Sequence, residues 1–136
     1  MNDGLSQFPG ASMSDAEFWE IVAGIEWTVP PDWHAVRVAL VGKLTPTQAE
    51  GVWWVFRIKM RELDRVVNEW EMEHDTVFPL QGEDRVDLLA FIVGLGEADY
   101  HAAFKMPEVI VARAKRSDFV PGILTAIPSG SDYGST

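Results

Sequence analysis

The chain has 136 residues, of which 47% are apolar and 24% are charged. Both values are typical of folded globular proteins, so they exclude a disordered or fibrous chain and predict one core. The absence of cysteine excludes disulfides, thiolate zinc sites and cysteine nucleophiles, and it fits a reducing cytoplasm.

The net charge of −10 is distributed in blocks. Residues 1–36 hold six acidic side chains and no Lys or Arg, and residues 62–87 hold nine acidic and two basic side chains. Such blocks repel phosphate and argue against a nucleic-acid partner. The first residues lack the pattern of a signal peptide, and the longest near-apolar run, residues 88–96, is too short to cross a bilayer. We therefore expect a cytoplasmic protein with no membrane partner.

The first predicted elements are a flexible arm and two helices. Residues 1–12 show no periodicity and predict the arm. Ser14 and Glu17 form a capping box in front of apolar residues with helical spacing, which predicts a helix near 15–26. Asp32 can cap a second helix whose apolar stripe stops at Gly42.

The clearest local signal starts a long helix. Thr45, Pro46 and Gln48 supply a cap, a proline at the first helical position and the partner residue of a capping box. The sequence then predicts a helix over about 46–73 that is the spine of the fold. Its apolar stripe consists of Ala49, Val52, Trp53, Phe56, Met60, Leu63, Val67 and Trp70.

The second half of the chain predicts three shorter helices and an irregular end. Asp84 can cap a fourth helix, a short helix follows over about 97–105, and Pro107 suits the start of another. We expect residues 117–136 to form an extended strap and a frayed tail. The predicted fold is all-α: a single-domain bundle of five to six helices, spanning residues 13–116, around the 46–73 helix.

Three short motifs occur along the helical region: Phe18-Trp19, Leu44-Thr45-Pro46, and the run 91–96 followed by Tyr100, Ala103 and Pro107. Together they resemble the bacterial domain-of-unknown-function family 4240. The resemblance covers roughly residues 13–116. It implies an all-helical fold and no established activity, so it carries over no catalytic residue.

The sequence contains little that points to catalysis. It has three His, no Gly-x-Ser-x-Gly elbow and no phosphate-binding glycine motif, which favours a protein that is not an enzyme. Glu71 and His74, three apart on a helix, are half of a di-iron ligand set. Neither Glu97 with His101 nor another acidic pair completes that set, so we expect no metal and no cofactor.

Six Trp are the most unusual feature of the composition. Trp27 and Trp33 flank the linker 28–32, and Trp54 points away from the main stripe of the long helix; these three belong either to an interface or to a second core layer. Trp19, Trp53 and Trp70 fall on or beside core faces. Trp is enriched at binding hot spots because it buries a large area with few rotatable bonds.

These features favour a non-catalytic, acidic, cytoplasmic protein-binding domain. The specific form we favour is an immunity-type or antitoxin-type inhibitor, because negative charge suits a basic partner and aromatic side chains anchor it. Homo-oligomerisation stays open. The predicted partner-binding residues are Trp54, Ile58, Glu69 and Glu73.

The alternative is a small-molecule enzyme or ligand binder. It would use a pocket lined by aromatic side chains together with the carboxylates of residues 69–75. The residues of this alternative pocket are Trp19, Trp53, Trp70, Tyr100, Glu71 and His74.

Overall fold

The structure is a computed structural model that describes residues 13–27 and 32–133. Within these ranges it contains six α-helices, two short 3-10 helices and no β-strand, which confirms the predicted all-α class and number of helices. The arm predicted for residues 1–12 and the last three residues, 134–136, lie outside the described residues. The helices are α1 (Asp15–Ala23), α2 (Trp33–Lys43), α3 (Pro46–His74), α4 (Gly82–Leu95), α5 (Glu97–Lys105) and α6 (Pro107–Arg116).

The described residues fall into two compact units. The first unit contains the residues up to Arg57 and those from Leu124 onward, and the second contains Ile58–Ile123. Helices α1 and α2 therefore belong to the first unit, and α4, α5 and α6 belong to the second. Helix α3 contributes its first turns to the first unit and its remaining turns to the second.

Helix α1 begins as the capping box predicts but ends early. The Ser14 hydroxyl accepts a hydrogen bond from the Glu17 amide at 3.1 Å. The helix stops at Ala23, where the last turn tightens: the Gly24 amide is shared between the Glu20 and Ile21 carbonyls, and the Ile25 amide donates to the Val22 carbonyl. The expected end near residue 26 is therefore wrong by about one turn.

Helix α2 begins where Asp32 predicts and ends one residue beyond Gly42. The Asp32 carboxylate accepts from the Ala35 amide at 3.0 Å. The helix runs to Lys43, and the Leu44 amide still donates to the Leu40 carbonyl at 2.9 Å. A glycine in a helix interior costs only about 1 kcal/mol relative to alanine. Gly42 therefore does not end α2 before the hydrogen bond between Leu44 and Leu40 forms.

Helix α3 forms as predicted, with an error of one residue at its end. The Thr45 hydroxyl accepts from the Gln48 amide at 3.1 Å, and the Gln48 side chain accepts from the Thr45 amide at 2.9 Å. The helix has 29 residues and ends before Asp75, whose φ is 48°. Six of the eight predicted stripe residues are buried, whereas Trp53 and Trp70 are half-buried.

The first unit has an aromatic core and a separate apolar cluster. Phe18 is fully buried, with its ring centroid 4.9 Å from that of Trp19 and 6.1 Å from that of Phe56, both edge-on. The apolar cluster contains Trp27 and Trp33 as partly buried members, which is the arrangement of a second core layer. Its other members are Ile25, Val36, Leu40, Leu44 and Ala126.

In the second unit, α4 packs against α5 and α6, and α5 packs against α6. Helix α4 starts at Gly82, two residues before the predicted cap Asp84, which instead lies in the first turn. Gly82 has a φ of 61°, a conformation that glycine adopts without strain, and it lets the chain enter the helix early. The bounds predicted for α5 are confirmed, as is the start of α6 at Pro107.

The end of the chain differs most from the sequence-based expectation. In place of an extended strap and a frayed tail, it forms 3-10 helices at Ile123–Ala126 and Gly130–Tyr133. Arg37 donates through Nε to Asp132 at 3.1 Å and through Nη1 to the Thr125 carbonyl at 3.2 Å. The Tyr133 hydroxyl donates to the Leu44 carbonyl at 2.9 Å. We call these contacts the C-terminal clamp. Because they are polar, they leave no periodic pattern of apolar residues from which the sequence could predict them.

The surroundings of the C-terminal clamp also shift the pKa values of Asp132 and Tyr133. Burial acts to raise the pKa of Asp132, but the hydrogen bond from the Ser129 amide and the guanidinium of Arg37 outweigh it. The pKa of Asp132 therefore lies below its usual value of 3.8. Burial raises the pKa of Tyr133, and the neighbouring Asp132 charge adds to this effect.

Replacing Phe56 with alanine tests the register of α3. Because Phe56 is fully buried, we expect the free energy of unfolding to fall by about 3–5 kcal/mol, measured by chemical denaturation. The control is Met72→Ala on the same helix, where 82% of the side chain is exposed and the change should stay within about 0.5 kcal/mol. Equal effects of the two substitutions would contradict the register.

Replacing Asp132 with asparagine tests the clamp. A carboxylate whose pKa is lowered by folding stabilises the folded state above its unfolded pKa, and this stabilisation is lost as the pH falls through the folded pKa. The variant should therefore melt at a lower temperature than the parent protein at neutral pH. The difference should shrink as the pH falls below about 3.8. A difference that is independent of pH would contradict the ion pair.

Candidate functional site

A cavity of about 420 Å³ lies in the second unit beside the last turns of α3. Five of its residues come from one face of α3, where positions four apart line up along the helix. The others come from the end of α5 and the start of α6. We call this cavity the acidic groove; it is lined by Arg65, Val66, Glu69, Trp70, Glu73, Phe104, Lys105, Pro107 and Glu108.

The lining of the acidic groove combines aromatic rings with charged groups. Trp70 and Phe104 are half-buried and leave part of each ring accessible. Three carboxylates face two cations across the lining, so it is acidic on balance. Arg65 Nη1 lies 3.5 Å from Glu69 Oε2, and both side chains are more than half exposed.

Neighbouring rings fix the orientation of Trp70. The His74 imidazole stacks on the indole with centroids 4.9 Å apart, and its Nδ1 lies 3.0 Å from the Trp70 carbonyl oxygen. The buried Phe78 ring approaches the indole edge-on at 6.5 Å. An aromatic side chain that is already oriented loses little conformational entropy when it binds a partner.

A second cavity on α3 has fewer kinds of side chain with which to bind a partner. It has a volume of about 560 Å³ and is lined by α3 residues and by the segment after the helix. Its most exposed apolar side chains are Met72, at 82%, and Val77, at 70%. None of its lining residues is aromatic, and those residues are Asn68, Glu71, Met72, Asp75, Thr76 and Val77.

Of the four predicted partner-binding residues, Glu69 and Glu73 line the acidic groove and are exposed. Trp54 and Ile58 are half-buried rather than exposed. Trp54 belongs to the first unit, where its indole nitrogen is buried and its ring meets Trp53 edge-on at 4.8 Å. The roles of Trp54 and Ile58 in partner binding stay predictions.

The residues of the alternative pocket have diverse surroundings. Trp70 lines the acidic groove, whereas Trp19 is buried against Phe18. Trp53 is half-buried beneath the guanidinium of Arg57, at 4.2 Å. In the second unit, the buried Tyr100 donates its hydroxyl proton to Glu62 at 2.7 Å.

Glu71, the remaining carboxylate of that pocket, has a structural role. Its Oε2 accepts from the Phe78 amide at 2.7 Å, and its Oε1 lies 3.6 Å from Arg85. Arg85 also donates to Asp64 at 2.7 Å and to Asn68 at 2.8 Å. This network joins the end of α3 to α4 within the second unit.

Sequence analysis did not identify the groove residues contributed by the end of α5 and the start of α6. Phe104 lies in the short helix predicted over about 97–105, and no spacing in the sequence relates it to Trp70. The pairing depends on how α5 and α6 pack in space, which local periodicity does not encode. Lys59 was also missed: it is 8% exposed, and its ammonium lies 5.3 Å from the Tyr100 ring centroid.

Across the described ranges, no three His, Cys, Asp or Glu side chains come together as a metal site would require. The helices in the same ranges include none with the length and apolar character needed to cross a bilayer. A scan against models of known protein families, a search of curated proteins and a search of solved structures each found no match to this chain. The resemblance to family 4240 stays a prediction.

Elemental analysis of the purified protein tests the expectation of no metal. Glu71 is engaged by a backbone amide and by Arg85, so it is a poor ligand for an added ion. We expect mass spectrometry to find no stoichiometric iron or zinc. One metal ion per chain that is lost in a His74→Ala variant would contradict this expectation.

Proposed function

We propose that the protein is a non-catalytic cytoplasmic binding domain that docks a basic segment of a protein partner in the acidic groove. In its most specific form it covers a basic enzyme, as an immunity or antitoxin protein does. The observation that carries the proposal is the presence of Trp70 beside Glu69, Glu73 and Glu108 in one cavity.

The mixed lining of the groove suits basic side chains. Lys and Arg have long apolar stems that cover aromatic surface and a charged end that pairs with a carboxylate. Trp70 and Phe104 offer that surface, and the three glutamates offer the acceptors. A purely apolar ligand would leave the carboxylates without a partner, and an anionic ligand would be repelled.

The surrounding charge supports fast encounter with such a partner. Residues 62–87 hold nine acidic side chains, and of the two basic ones Arg85 is 11% exposed and already paired with Asp64. Within this segment, Arg65 is therefore the one exposed basic side chain beside nine acidic ones. Opposite charge on two partners raises the association rate more than it lowers the dissociation rate.

Internal hydrogen bonds count against the small-molecule alternative. Tyr100 and Glu71 already bind Glu62 and the Phe78 amide, so their polar groups are occupied within the protein. Trp19 is buried and presents little surface to a ligand. These roles favour docking of a partner over a pocket built from the six residues of the alternative.

The test compares short synthetic peptides of equal length that carry basic, neutral or acidic side chains. We expect the basic peptide to bind and the other two to bind weakly or not at all. In a Glu69→Lys/Glu73→Lys variant, its association should slow by about tenfold at low salt and lose most of its salt dependence. Stopped-flow fluorescence and calorimetry measure the rates and the affinity.

The matched control is Glu83→Lys/Glu97→Lys, which changes the net charge equally at two exposed positions of the same unit outside the groove lining. This variant should retain most of the affinity and of the salt dependence. If both double variants lose binding equally, the peptide recognises overall charge and the proposed groove is wrong. Melting temperatures establish that each variant is folded.

A further inference from the structure

The acidic groove already contains a guanidinium group, that of Arg65. Its Nη1 lies 3.5 Å from Glu69 Oε2, and its Cζ lies 6.0 Å from the Phe104 ring centroid. A carboxylate on one side and an aromatic ring on another are the two groups that recognise an arginine side chain. The guanidinium of Arg65 thus already occupies the chemical environment that we propose for a basic side chain of the partner.

We propose that Arg65 occupies the site that an arginine side chain of the partner takes in the complex, and that the two guanidinium groups compete for Glu69 and Phe104. This inference rests on the proposed function and specifies it further. Arg65 lowers the affinity of the groove for weakly matched cations, because every ligand has to displace it. An arginine of the partner replaces both contacts that Arg65 gives up, the one with Glu69 and the one with Phe104, whereas other side chains replace them only in part.

The contacts of Arg65 are weak enough to exchange. Its side chain is 59% exposed and that of Glu69 is 58% exposed, so water screens their attraction. Arg85, on α4, is bound differently: it is 11% exposed and bonds to Asp64 and Asn68 at under 3 Å. Arg85 is part of the fold of the second unit, whereas Arg65 can turn into solvent without breaking a buried bond.

The geometry favours arginine over lysine as the competing side chain. A guanidinium is planar, stacks on an aromatic ring and can donate two parallel hydrogen bonds to a carboxylate. An ammonium is a compact, strongly hydrated charge that offers neither stacking nor a fork of donors. A lysine can therefore satisfy Glu69 but replaces the Phe104 contact of Arg65 less well.

The displacement also leaves the groove more receptive to positive charge. When Arg65 turns into solvent, its charge no longer lies against Glu69, and Lys105 is the remaining cation of the lining. The three carboxylates then face the incoming side chain. The exchange thus couples entry of the partner to release of the internal cation.

The experiment titrates a short peptide whose one charged side chain is a central arginine, and its lysine analogue, into the full-length protein by nuclear magnetic resonance. Arg65→Gln removes the internal cation and keeps a long, helix-favouring side chain. We expect this variant to bind the arginine peptide about three- to tenfold more tightly than the parent protein, since the competing pair is exposed and weak. The side-chain Nε–H signal of Arg65 in the parent protein should move toward its solvent-exposed position as the peptide is added.

The matched control is Arg61→Gln. Arg61 is exposed one turn earlier on α3 and is not among the groove residues, so its removal changes the net charge equally without removing the competitor. It should alter the affinity by less than about twofold, as expected for a screened surface charge. The lysine peptide should bind more weakly than the arginine peptide to all three proteins.

The outcomes separate this inference from the proposed function. If the arginine peptide binds the parent protein but Arg65→Gln binds it no more tightly than Arg61→Gln does, the competition is wrong while the basic-ligand groove stands. Tighter binding of the lysine peptide overturns the preference for a guanidinium. If neither peptide binds any of the proteins, the groove does not recognise basic side chains and both proposals fail.

Discussion

The constraint on which the structure depends is the continuity of α3. Its 29 residues extend for about 43 Å at the usual helical rise, and in a folded protein most of the stability of a helix comes from packing of its apolar face. The buried positions recur along the whole helix, from Ala49 to Val67. Each of the two compact units includes part of α3, and the reciprocal hydrogen bonds of Thr45 and Gln48 fix the residue at which this helix begins.

The two arginines near the end of α3 illustrate how burial determines the role of a charge. Arg85 is 11% exposed and is satisfied by Asp64, Asn68 and Glu71, because a buried guanidinium without acceptors would be strongly destabilising. Arg65 is 59% exposed and has a single carboxylate partner at 3.5 Å. The same side chain thus stabilises the fold in one place and remains free to exchange partners in the other.

In residues 123–133, polar contacts add to the burial of Ile123, Ala126 and Ile127. Arg37, Asp132 and Tyr133 hold a segment rich in glycine and serine, whose composition by itself favours fraying. The ion pair lowers the pKa of Asp132, whereas burial and the nearby negative charge raise the pKa of Tyr133. The contacts of Arg37 with Asp132 and of Tyr133 with Leu44 therefore join segments far apart in sequence, in addition to the apolar burial of this region.

The sequence by itself determined the helical class, a count of five to six helices and most of the positions at which they start. Caps and periodicity act within a few residues, and the side chains of Ser14, Asp32 and Thr45 meet backbone amides that are always three positions away. It also identified Glu69, Glu73 and Trp70 as functional candidates, because charge and aromatic content are visible in composition.

Only the tertiary structure decided which of these candidates share a site. Trp54 is half-buried and Glu71 is engaged by Arg85, whereas Trp70 lies in one cavity with Phe104 and Glu108, more than thirty residues later in the chain. The clamp between Arg37 and Asp132 likewise spans 95 positions. Contacts of this kind depend on how helices pack in three dimensions, and a local pattern of caps and apolar residues carries no information about that packing.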